Sequence, residues 1–312
     1  MTHAISVRDL TKRHRHVVAV DSATFTAEPS RVTAVLGPNG SGKTSILRIV
    51  AGLDRPTTGV AHVGDRLIAR HDDPAGVLGA LVEGPAVHPS WRAGEHLSIL
   101  AASLGLSGQR VRHVARECGV EPFGFQRGRS LSLGMRQRLG IAMAVLADPV
   151  ALILDEPAIG LDPEAMRWLR RLVKEKAASG RTVLFSSHLM AEVEGLADDV
   201  VILQAGRVVW SSTLEQFMRA HTVATSVVAT LEPDRLSDAL ARAGAQVRRQ
   251  SSDLVVTGIE REAVGGVAFS IGTPVTELRS VTPSLEDVYL DFVASIGAHP
   301  ASPRGELMEV AA

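Results

Sequence analysis

The chain has 312 residues, of which 45% are hydrophobic and 21% charged, and its formal net charge is −1. These values are typical of a globular protein of one large domain or two ordinary ones, and they give no overall attraction to nucleic acid or to an anionic membrane. A single cysteine excludes an internal disulfide, and no apolar run reaches the roughly 18–20 residues that cross a bilayer. We therefore expect a protein of a reducing compartment with no membrane span of its own.

The first fifty residues predict two strands followed by a strand–loop–helix unit. Residues 5–10 and 18–27 alternate between apolar and polar side chains, as half-buried strands do. Residues 31–37 form a short apolar run that leads into a glycine-rich turn, and a helical pattern runs over residues 42–53. The change from a period of two to a period of 3.6 marks the unit.

The glycine-rich turn, GPNGSGKT at 37–44, matches the pattern G-x-x-x-x-G-K-[ST]. Its glycines let backbone N–H groups wrap phosphate oxygens, Lys43 can reach the β- and γ-phosphates, and the Thr44 hydroxyl can bind Mg²⁺. An ordinary turn is the alternative, but the flanking strand and helix favour a nucleotide site. The predicted nucleotide-binding residues are Gly37, Pro38, Asn39, Gly40, Ser41, Gly42, Lys43, Thr44 and Ser45.

The middle of the chain is predicted to be helical and then to form a buried strand. Residues 85–147 show mostly helical periodicity, and we expect Cys118 to pack there. Residues 150–157 are an apolar run that ends in two acids, as a buried parallel strand would. We expect Asp155 to hold Mg²⁺ and Glu156 to orient and deprotonate a water molecule, although two solvated strand-end acids would give the same pattern.

A second buried strand is predicted at 181–188, after an amphipathic helix that starts at Pro163 and ends at Gly180. It is followed by a hairpin with its turn at 204–207. A lone histidine is more often structural than catalytic. His188, however, follows a strand expected to adjoin the nucleotide strands at their carboxyl ends, where ligands bind in open α/β sheets. There it can donate a hydrogen bond to the γ-phosphate.

The sequence changes character after about residue 220. Its patterns run β-α-β-β-α-β and end in a helix, which predicts a small C-terminal α+β domain. We therefore expect a nucleotide-binding domain at 1–220 with a helical subdomain at about 85–147, an accessory domain at 221–297, and a disordered tail at 298–312.

A second possible anion site lies far from the phosphate loop, in the run LSLGMRQR at 131–138. Ser132 and Gly134 stand where a helix should begin, and free N–H groups at a helix N-terminus bind anions. Ser132 would also serve as an ordinary helix cap. The segment offers hydrogen-bond donors to a phosphate but has no lysine and no Mg²⁺ ligand of its own. It therefore makes sense as a lid over a nucleotide site formed elsewhere.

Three features together resemble the ATP-binding subunit of an ABC transporter: the phosphate loop, LSLGM before LILDEP, and GLD at 160–162 after it. The resemblance covers about residues 4–215. LSLGM takes the place of the family's signature LSGGQ, and IGLD takes that of the D-loop, in which Asp162 is a nucleotide-binding residue. His188 takes that of the switch histidine. The chain is also similar to the bacitracin- and daunorubicin-type drug export ATPases in three longer segments, GALVEGPAVHPSW, SSHLMAEVEGLADDVVIL and SLEDVYLDF.

The resemblance implies a RecA-like α/β core with an antiparallel N-terminal β-subdomain, in addition to the helical subdomain and the C-terminal α+β domain. It implies an ATPase that uses Mg-ATP and works as a head-to-tail homodimer, with Ser132 and Gly134 facing the γ-phosphate of the opposite subunit. It also implies a separate membrane permease as partner, a place at the inner face of the cell membrane, no nucleic acid, and export of a drug-like or antibiotic compound.

The sequence departs from the family pattern at four places. The base-stacking aromatic is absent, and His14, which aligns with it, would either stack on adenine or be a surface histidine. Glu83 replaces the Q-loop glutamine and keeps an oxygen that can face Mg²⁺. Leu133 and Met135 stand at signature positions where glycine and glutamine are usual, and Ile159 leads the D-loop. None of these changes removes a group that hydrolysis requires.

Two other functions fit parts of the pattern. A non-transport ABC ATPase acting on ribosomes or nucleic acid would share the motifs, but such chains usually have two nucleotide domains or a long coiled-coil insertion, whereas this chain has one phosphate loop and no heptad stretch. A nucleotide-binding switch without turnover would not need Glu156.

Overall fold

The computed structural model describes residues 3–281 and 283–298, which form two compact units that meet in the sequence between Phe217 and Met218. The tail predicted at 298–312 lies outside the described residues, except for Ala298, at which the last helix ends. Within the described residues, no helix is long and apolar enough to span a bilayer.

The described residues of the first unit form nine strands. In chain order they are β1 Ile5–His14, β2 Val17–Ala27, β3 Val32–Leu36, β4 Thr58–Val63, β5 Leu78–Leu81, β6 Ala151–Asp155, β7 Thr182–Ser187, β8 Asp199–Gln204 and β9 Arg207–Thr213. Two of them are missing from the sequence prediction: β5 has only four residues, and neither β4 nor β5 shows a clear alternation.

The helices of the first unit surround these strands. They are α1 Lys43–Val50, α2 Pro74–Val77, α3 Ala93–Ser103, α4 Gly108–Glu117, α5 Leu133–Ala144, α6 Pro163–Ala178, α7 Met190–Glu194 and α8 Leu214–His221. Helices α3, α4 and α5 fall in the segment predicted to be helical, and α8 runs across the boundary between the two units.

Six strands form the central sheet, in the order β5-β6-β7-β3-β8-β9. All neighbours are parallel except β8 and β9, which form the predicted hairpin. Strand β3 therefore lies between β7 and β8, with Leu36 opposite both Ser187 and Ile202. Because parallel strands end at the same edge, the phosphate loop, the paired acids and the switch histidine share one edge of the sheet.

A second sheet is antiparallel, in the order β2-β1-β4. Its buried face packs with α1 and the central sheet in one hydrophobic core, to which it contributes Leu10 and Val20, α1 contributes Ile46 and Leu47, and β6 contributes Ile153. The phosphate loop thus lies between two sheets that share a core. The sheets and helices together confirm the expected RecA-like fold with an antiparallel N-terminal subdomain.

The second unit has the predicted β-α-β-β-α-β order, followed by a final helix. Its elements are β10 Thr225–Thr230, α9 Pro233–Arg242, β11 Gln246–Gln250, β12 Asp253–Thr257, α10 Arg261–Ser270, β13 Val275–Ser280 and α11 Leu285–Ala298. The antiparallel sheet has the order β11-β12-β10-β13. Its own core joins Val228 and Val256 of the sheet to Leu236, Leu240 and Val264 of α9 and α10.

Candidate functional site

The phosphate loop connects β3 to α1 and needs glycine at a close approach. Gly42 has φ of +103°, and a Cβ there would lie 2.4 Å from the carbonyl oxygen of Ala19 in β2. A side chain at this position would therefore both strain the backbone and collide with it. Within the described residues no side chain caps the first turn of α1, so its N–H groups remain available to an anion.

Lys43 is buried within the loop that precedes it. Its Nζ donates to the carbonyl oxygens of Gly37, at 2.7 Å, and Pro38, at 3.2 Å, and lies 3.8 Å from Glu156 Oε1. Burial lowers the pKa of Lys43 from its ordinary value, and the carboxylates of Glu156 and Asp155 act in the opposite direction. Because this ammonium group is largely shielded from water, its attraction to a phosphate placed against it would be strong.

Asp155 ends β6 and connects two neighbouring segments. Its Oδ2 accepts from the Thr44 hydroxyl at 2.9 Å, and its Oδ1 accepts from the Ser186 hydroxyl at 2.5 Å. The side chain is almost fully buried. Hydrogen bonds from two hydroxyls satisfy this carboxylate inside the protein, and one of them belongs to the residue predicted to bind Mg²⁺.

Glu156 is held at its backbone and at its carboxylate. It has φ of +48°, its N–H donates to Ser186 Oγ at 2.9 Å, and its carbonyl accepts from Gln137 Nε2 at 3.2 Å. Its Oε2 lies 2.7 Å from His188 Nδ1. The predicted base and the predicted switch histidine are therefore hydrogen-bonded partners at the mouth of the site.

The residues of the loop fit a triphosphate with Mg²⁺. Among the described residues, the Ser41 hydroxyl is buried without a hydrogen-bond partner, and a Cβ at Gly40 would meet nothing within 4 Å. The described residues contain no group of three or more His, Cys, Asp or Glu side chains that could enclose a metal ion. Mg²⁺ is commonly held by one or two protein ligands plus phosphate oxygens and water, which Thr44 and Asp155 can supply.

Glu83 follows β5 and meets the site through its backbone. Its N–H points at Asp155 Oδ2 over 3.4 Å, whereas its carboxylate pairs with Arg48 of α1. The side chain is 56% exposed. The contact between the Glu83 carboxylate and Mg²⁺ stays a prediction, and here that carboxylate has a protein partner.

The second predicted half-site lies at the start of α5. Ser132 caps the helix by accepting from the N–H of Met135 at 3.2 Å, and Asp162 caps α6 by accepting from the N–H of Ala165 at 2.7 Å. A Cβ at Gly134 would lie 2.9 Å from the carbonyl oxygen of Gly160. No hydrogen bond or ion pair within the described part of the chain joins Ser132 or Gly134 to residues 37–44.

His14, the residue predicted to stack on adenine, lies at the end of β1 rather than beside the phosphate loop. It ends β1 opposite Val17, at the exposed end of the β1–β2 pair, whereas the contact with the phosphate loop comes from Ala19. The described residues give its side chain no hydrogen bond or ring contact. Its stacking on adenine remains a prediction.

Three side chains at the site were missed by the sequence analysis: Ser186, Gln137 and Arg48. Ser186 is fully buried in β7 and is hydrogen-bonded to both acids. The available signal for it was the pair of hydroxyls, Ser186 and Ser187, at the end of a strand that is buried throughout. Gln137 is 3% exposed, in the helix after the signature. Neither Gln137 nor Arg48 has a sequence signal of its own, because their partners lie far away along the chain.

Comparison with known proteins places this site in a family. Residues 20–159 match the family model described as ABC transporter, and residues 225–286 match one described as a domain of unknown function, DUF8746. The chain is 33% identical over 273 residues to the uncharacterised ABC transporter ATP-binding protein YdbJ of Bacillus subtilis, covering 86% of this chain and 87% of the relative.

Two relatives have named cargoes. The lantibiotic transport ATP-binding protein SrtF of Streptococcus pyogenes is 30% identical, with 66% of this chain and 89% of the relative covered. The Nod factor export ATP-binding protein I of Cupriavidus metallidurans is 32% identical, with 66% of this chain and 70% of the relative covered.

Solved structures agree with the fold. An ATP-binding subunit of an ABC transporter superposes with a TM-score of 0.63 at 29% identity, over 69% of this chain and 92% of that one. A bacterial ABC transporter cassette solved as a dimer superposes with a TM-score of 0.61 at 24% identity, over 67% of this chain and 98% of that one. The second likeness supports the fold alone.

Proposed function

The chain belongs to the ABC transporter ATP-binding family, and from that premise we propose that it powers a separate membrane permease for export of a drug-like or antibiotic compound. Its enzymatic activity is that of an ABC ATPase, which converts ATP and water to ADP and phosphate. The single observation that supports turnover best is the convergence of Lys43, Thr44, Asp155, Glu156 and His188 at one sheet edge.

Each of these residues has a task that follows from its contacts. Lys43 exchanges its bonds to the loop carbonyls for bonds to phosphate oxygens, and the N–H groups at the start of α1 bind the remaining charge. Thr44 and Asp155 would hold Mg²⁺, which would supply positive charge next to the phosphates. The Glu156 carboxylate orients a water molecule and accepts its proton, and His188 keeps that carboxylate in place.

The dimer is part of the proposal. Among the described residues, no hydrogen bond or ion pair joins Ser132 or Gly134 to the phosphate loop of the same chain. We therefore assign these residues and the N-terminus of α5 to the ATP held by a second copy of the chain. Closure of the two copies would complete each site with donors from the other. Opening after hydrolysis would pass motion to the permease.

Export and the kind of cargo rest on resemblance. One relative is named for lantibiotic transport and another for Nod factor export. Several longer segments of the sequence also resemble those of drug export ATPases. Contacts with the cargo would lie mainly in the permease. We place the chain at the inner face of the cell membrane, held there by that permease, with no nucleic acid as partner.

The hydrolytic mechanism is tested with two variants and a phosphate-release assay. Lys43→Ala removes charge-assisted hydrogen bonds of about 1.5–3 kcal/mol each, so ATP binding should weaken by about 10- to 150-fold or more. Glu156→Gln should bind ATP as the parent does, stop turnover and accumulate a closed dimer. A Glu156→Gln protein that releases phosphate at the parent rate would remove the base assignment.

Transport is tested by isolating the tagged chain from membranes of its own cells. A polytopic membrane protein that copurifies, and whose deletion sensitises the cells to an antibiotic or drug-like compound, supports the proposal. Copurification with ribosomes or nucleic acid in place of a permease would support the alternative, a non-transport ABC ATPase.

A further inference from the structure

The start of α5 lies directly on the D-loop of the same chain. Gly160 has φ of +75°, and a Cβ there would lie 2.4 Å from Leu133 Cδ2 and 2.5 Å from Leu133 Cγ. Leu133 therefore occupies the space that any side chain at 160 would need. This is the leucine that stands where the family signature has glycine.

The same face of α5 makes a second contact with this segment. Gln137, one helical turn after Leu133, donates from Nε2 to the carbonyl oxygen of Glu156. Residues four apart lie on one side of a helix, so both side chains face the stretch 156–160. Gln137 contacts Glu156, the first residue of this stretch, and Leu133 lies against Gly160, the last.

Glu156 needs external support in this conformation. A left-handed backbone is unfavourable for a residue with a side chain, and such residues persist only where the surroundings fix them. Ser186 holds the Glu156 N–H from β7, and Gln137 holds its carbonyl from α5. Loss of either contact leaves the carboxylate less well placed against water.

We propose that Leu133 and Gln137 form a positioning face of α5 that sets the backbone of Glu156 and the D-loop in their own subunit. The helix whose N-terminus is assigned to a partner's ATP then also fixes the water-orienting carboxylate of its own site. This inference rests on the proposed role of Glu156. Leu133 is a positioning residue here, because it acts by packing on Gly160.

The test is a double-mutant cycle in the full chain, read as kcat and KM for Mg-ATP. Gly160→Ala should lower kcat at least tenfold, because its methyl overlaps Leu133, while ATP affinity changes less than threefold. Adding Leu133→Ala should recover at least fivefold of the lost kcat. Gly180→Ala is the matched control, since Gly180 has φ of +93° with nothing within 4 Å, and it should keep the parent kcat.

Gln137→Met supplies a second measurement that does not depend on the tight contact at Gly160. It should lower single-turnover hydrolysis at least tenfold while ATP affinity changes less than threefold, because Gln137 acts through the backbone of Glu156. Thermal unfolding is followed for every variant to separate misfolded protein.

The inference is overturned if Leu133→Ala gives no recovery in well-folded Gly160→Ala protein, or if well-folded Gln137→Met hydrolyses ATP within twofold of the parent in a single turnover. Failure of the proposed function looks different, because the parent would then not hydrolyse ATP or Glu156→Gln would not stop it.

Discussion

Arg48 Nη1 and Glu83 Oε2 lie 2.5 Å apart, so an ion pair joins the helix after the phosphate loop to the segment after β5. The Glu83 backbone, by contrast, points toward Asp155. Glu83, which replaces the Q-loop glutamine, therefore makes two separate contacts: its carboxylate pairs with Arg48, and its backbone N–H points at Asp155.

Substitution of Glu83 by Gln should lower basal turnover only two- to fivefold. The amide keeps an oxygen, and an exposed ion pair is typically worth about 0.2–1 kcal/mol. Phosphate release at saturating Mg-ATP is the measurement. Arg48→Gln is the matched control, because it removes the same ion pair from the other side. Near-complete loss of turnover in Glu83→Gln alone, with ATP binding intact, would show that the carboxylate itself takes part in hydrolysis.

Removal of the Ser186 hydroxyl should damage catalysis more than binding. Ser186→Ala deletes the donor to Asp155 and leaves the Glu156 N–H without its acceptor, a change that costs about 1–3 kcal/mol. We expect kcat to fall about 5- to 150-fold, with ATP affinity within about threefold of the parent. Ser187→Ala is the comparison, because that hydroxyl contacts Leu189 and Glu192. Equal losses in the two variants would contradict the assignment.

A mixing experiment tests whether the signature serves the opposite subunit. Gly134→Asp should bind ATP and fail to hydrolyse it, because its carboxylate would face the γ-phosphate across the dimer. Lys43→Ala should be inactive for lack of binding. When the two are mixed, one composite site has both an intact loop and an intact signature, so hydrolysis should return if one site can act alone.

The structure adds a control to this mixture. Because a Cβ at 134 would already lie 2.9 Å from the Gly160 carbonyl, part of any defect arises inside the subunit. Gly134→Ala measures that part without adding charge. A chain with both Lys43→Ala and Gly134→Asp should stay inactive when mixed with itself. If proven mixed dimers stay inactive while Gly134→Asp still dimerises with ATP, the signature assignment is wrong.

A chain that ends at His221 should bind ATP without the second unit. The cut keeps α8, in which Phe217 is fully buried and meets Trp210 edge to face at 5.8 Å between ring centroids. Fluorescent-nucleotide binding and thermal unfolding are the measurements. A chain that ends at Thr213 loses this packing and should unfold at a lower temperature. Loss of ATP binding by a folded 1–221 chain would show that the second unit takes part in the site.

Cys118 should resist alkylation in the native protein. It is fully buried after α4, and burial raises the pKa of its thiol to about 12. Iodoacetamide at pH 8 should modify it only after denaturation in guanidinium, since the thiolate is the reactive form. The unfolded thiol ionises near its ordinary pKa of about 8.5, so its contribution to folding stability is complete below that pH and falls as pH rises toward 12. Rapid native alkylation at pH 8 would contradict this environment.

Much of the site could be predicted because its parts are local patterns. The phosphate loop has its motif, and Asp155, Glu156 and His188 each follow an apolar run that reads as a buried strand. Parallel pairing then brings the strand ends together, as the registers of β3, β6 and β7 show. Ser132 was predicted as a cap and is one.

The parts that escaped prediction depend on contacts between distant segments. Gln137 and Arg48 look like ordinary helix residues until Glu156 and Glu83 are placed beside them. Strand β5 is only four residues long and lacks alternation, so it gave no periodic signal. The packing of Leu133 on Gly160 follows from a left-handed backbone angle that no local pattern indicates.

The position of β3 between β7 and β8 also affects how the protein is made. The strand that leads into the phosphate loop ends at Leu36, but its second neighbour ends only at Gln204. At about 5–20 residues per second, a ribosome needs roughly ten to thirty seconds to synthesise the stretch between them. Until β7 has been made, the nascent chain has an apolar strand with two open edges, and until β8 has been made it has no finished nucleotide pocket. Newly made chains are therefore most exposed to aggregation before ATP can stabilise them.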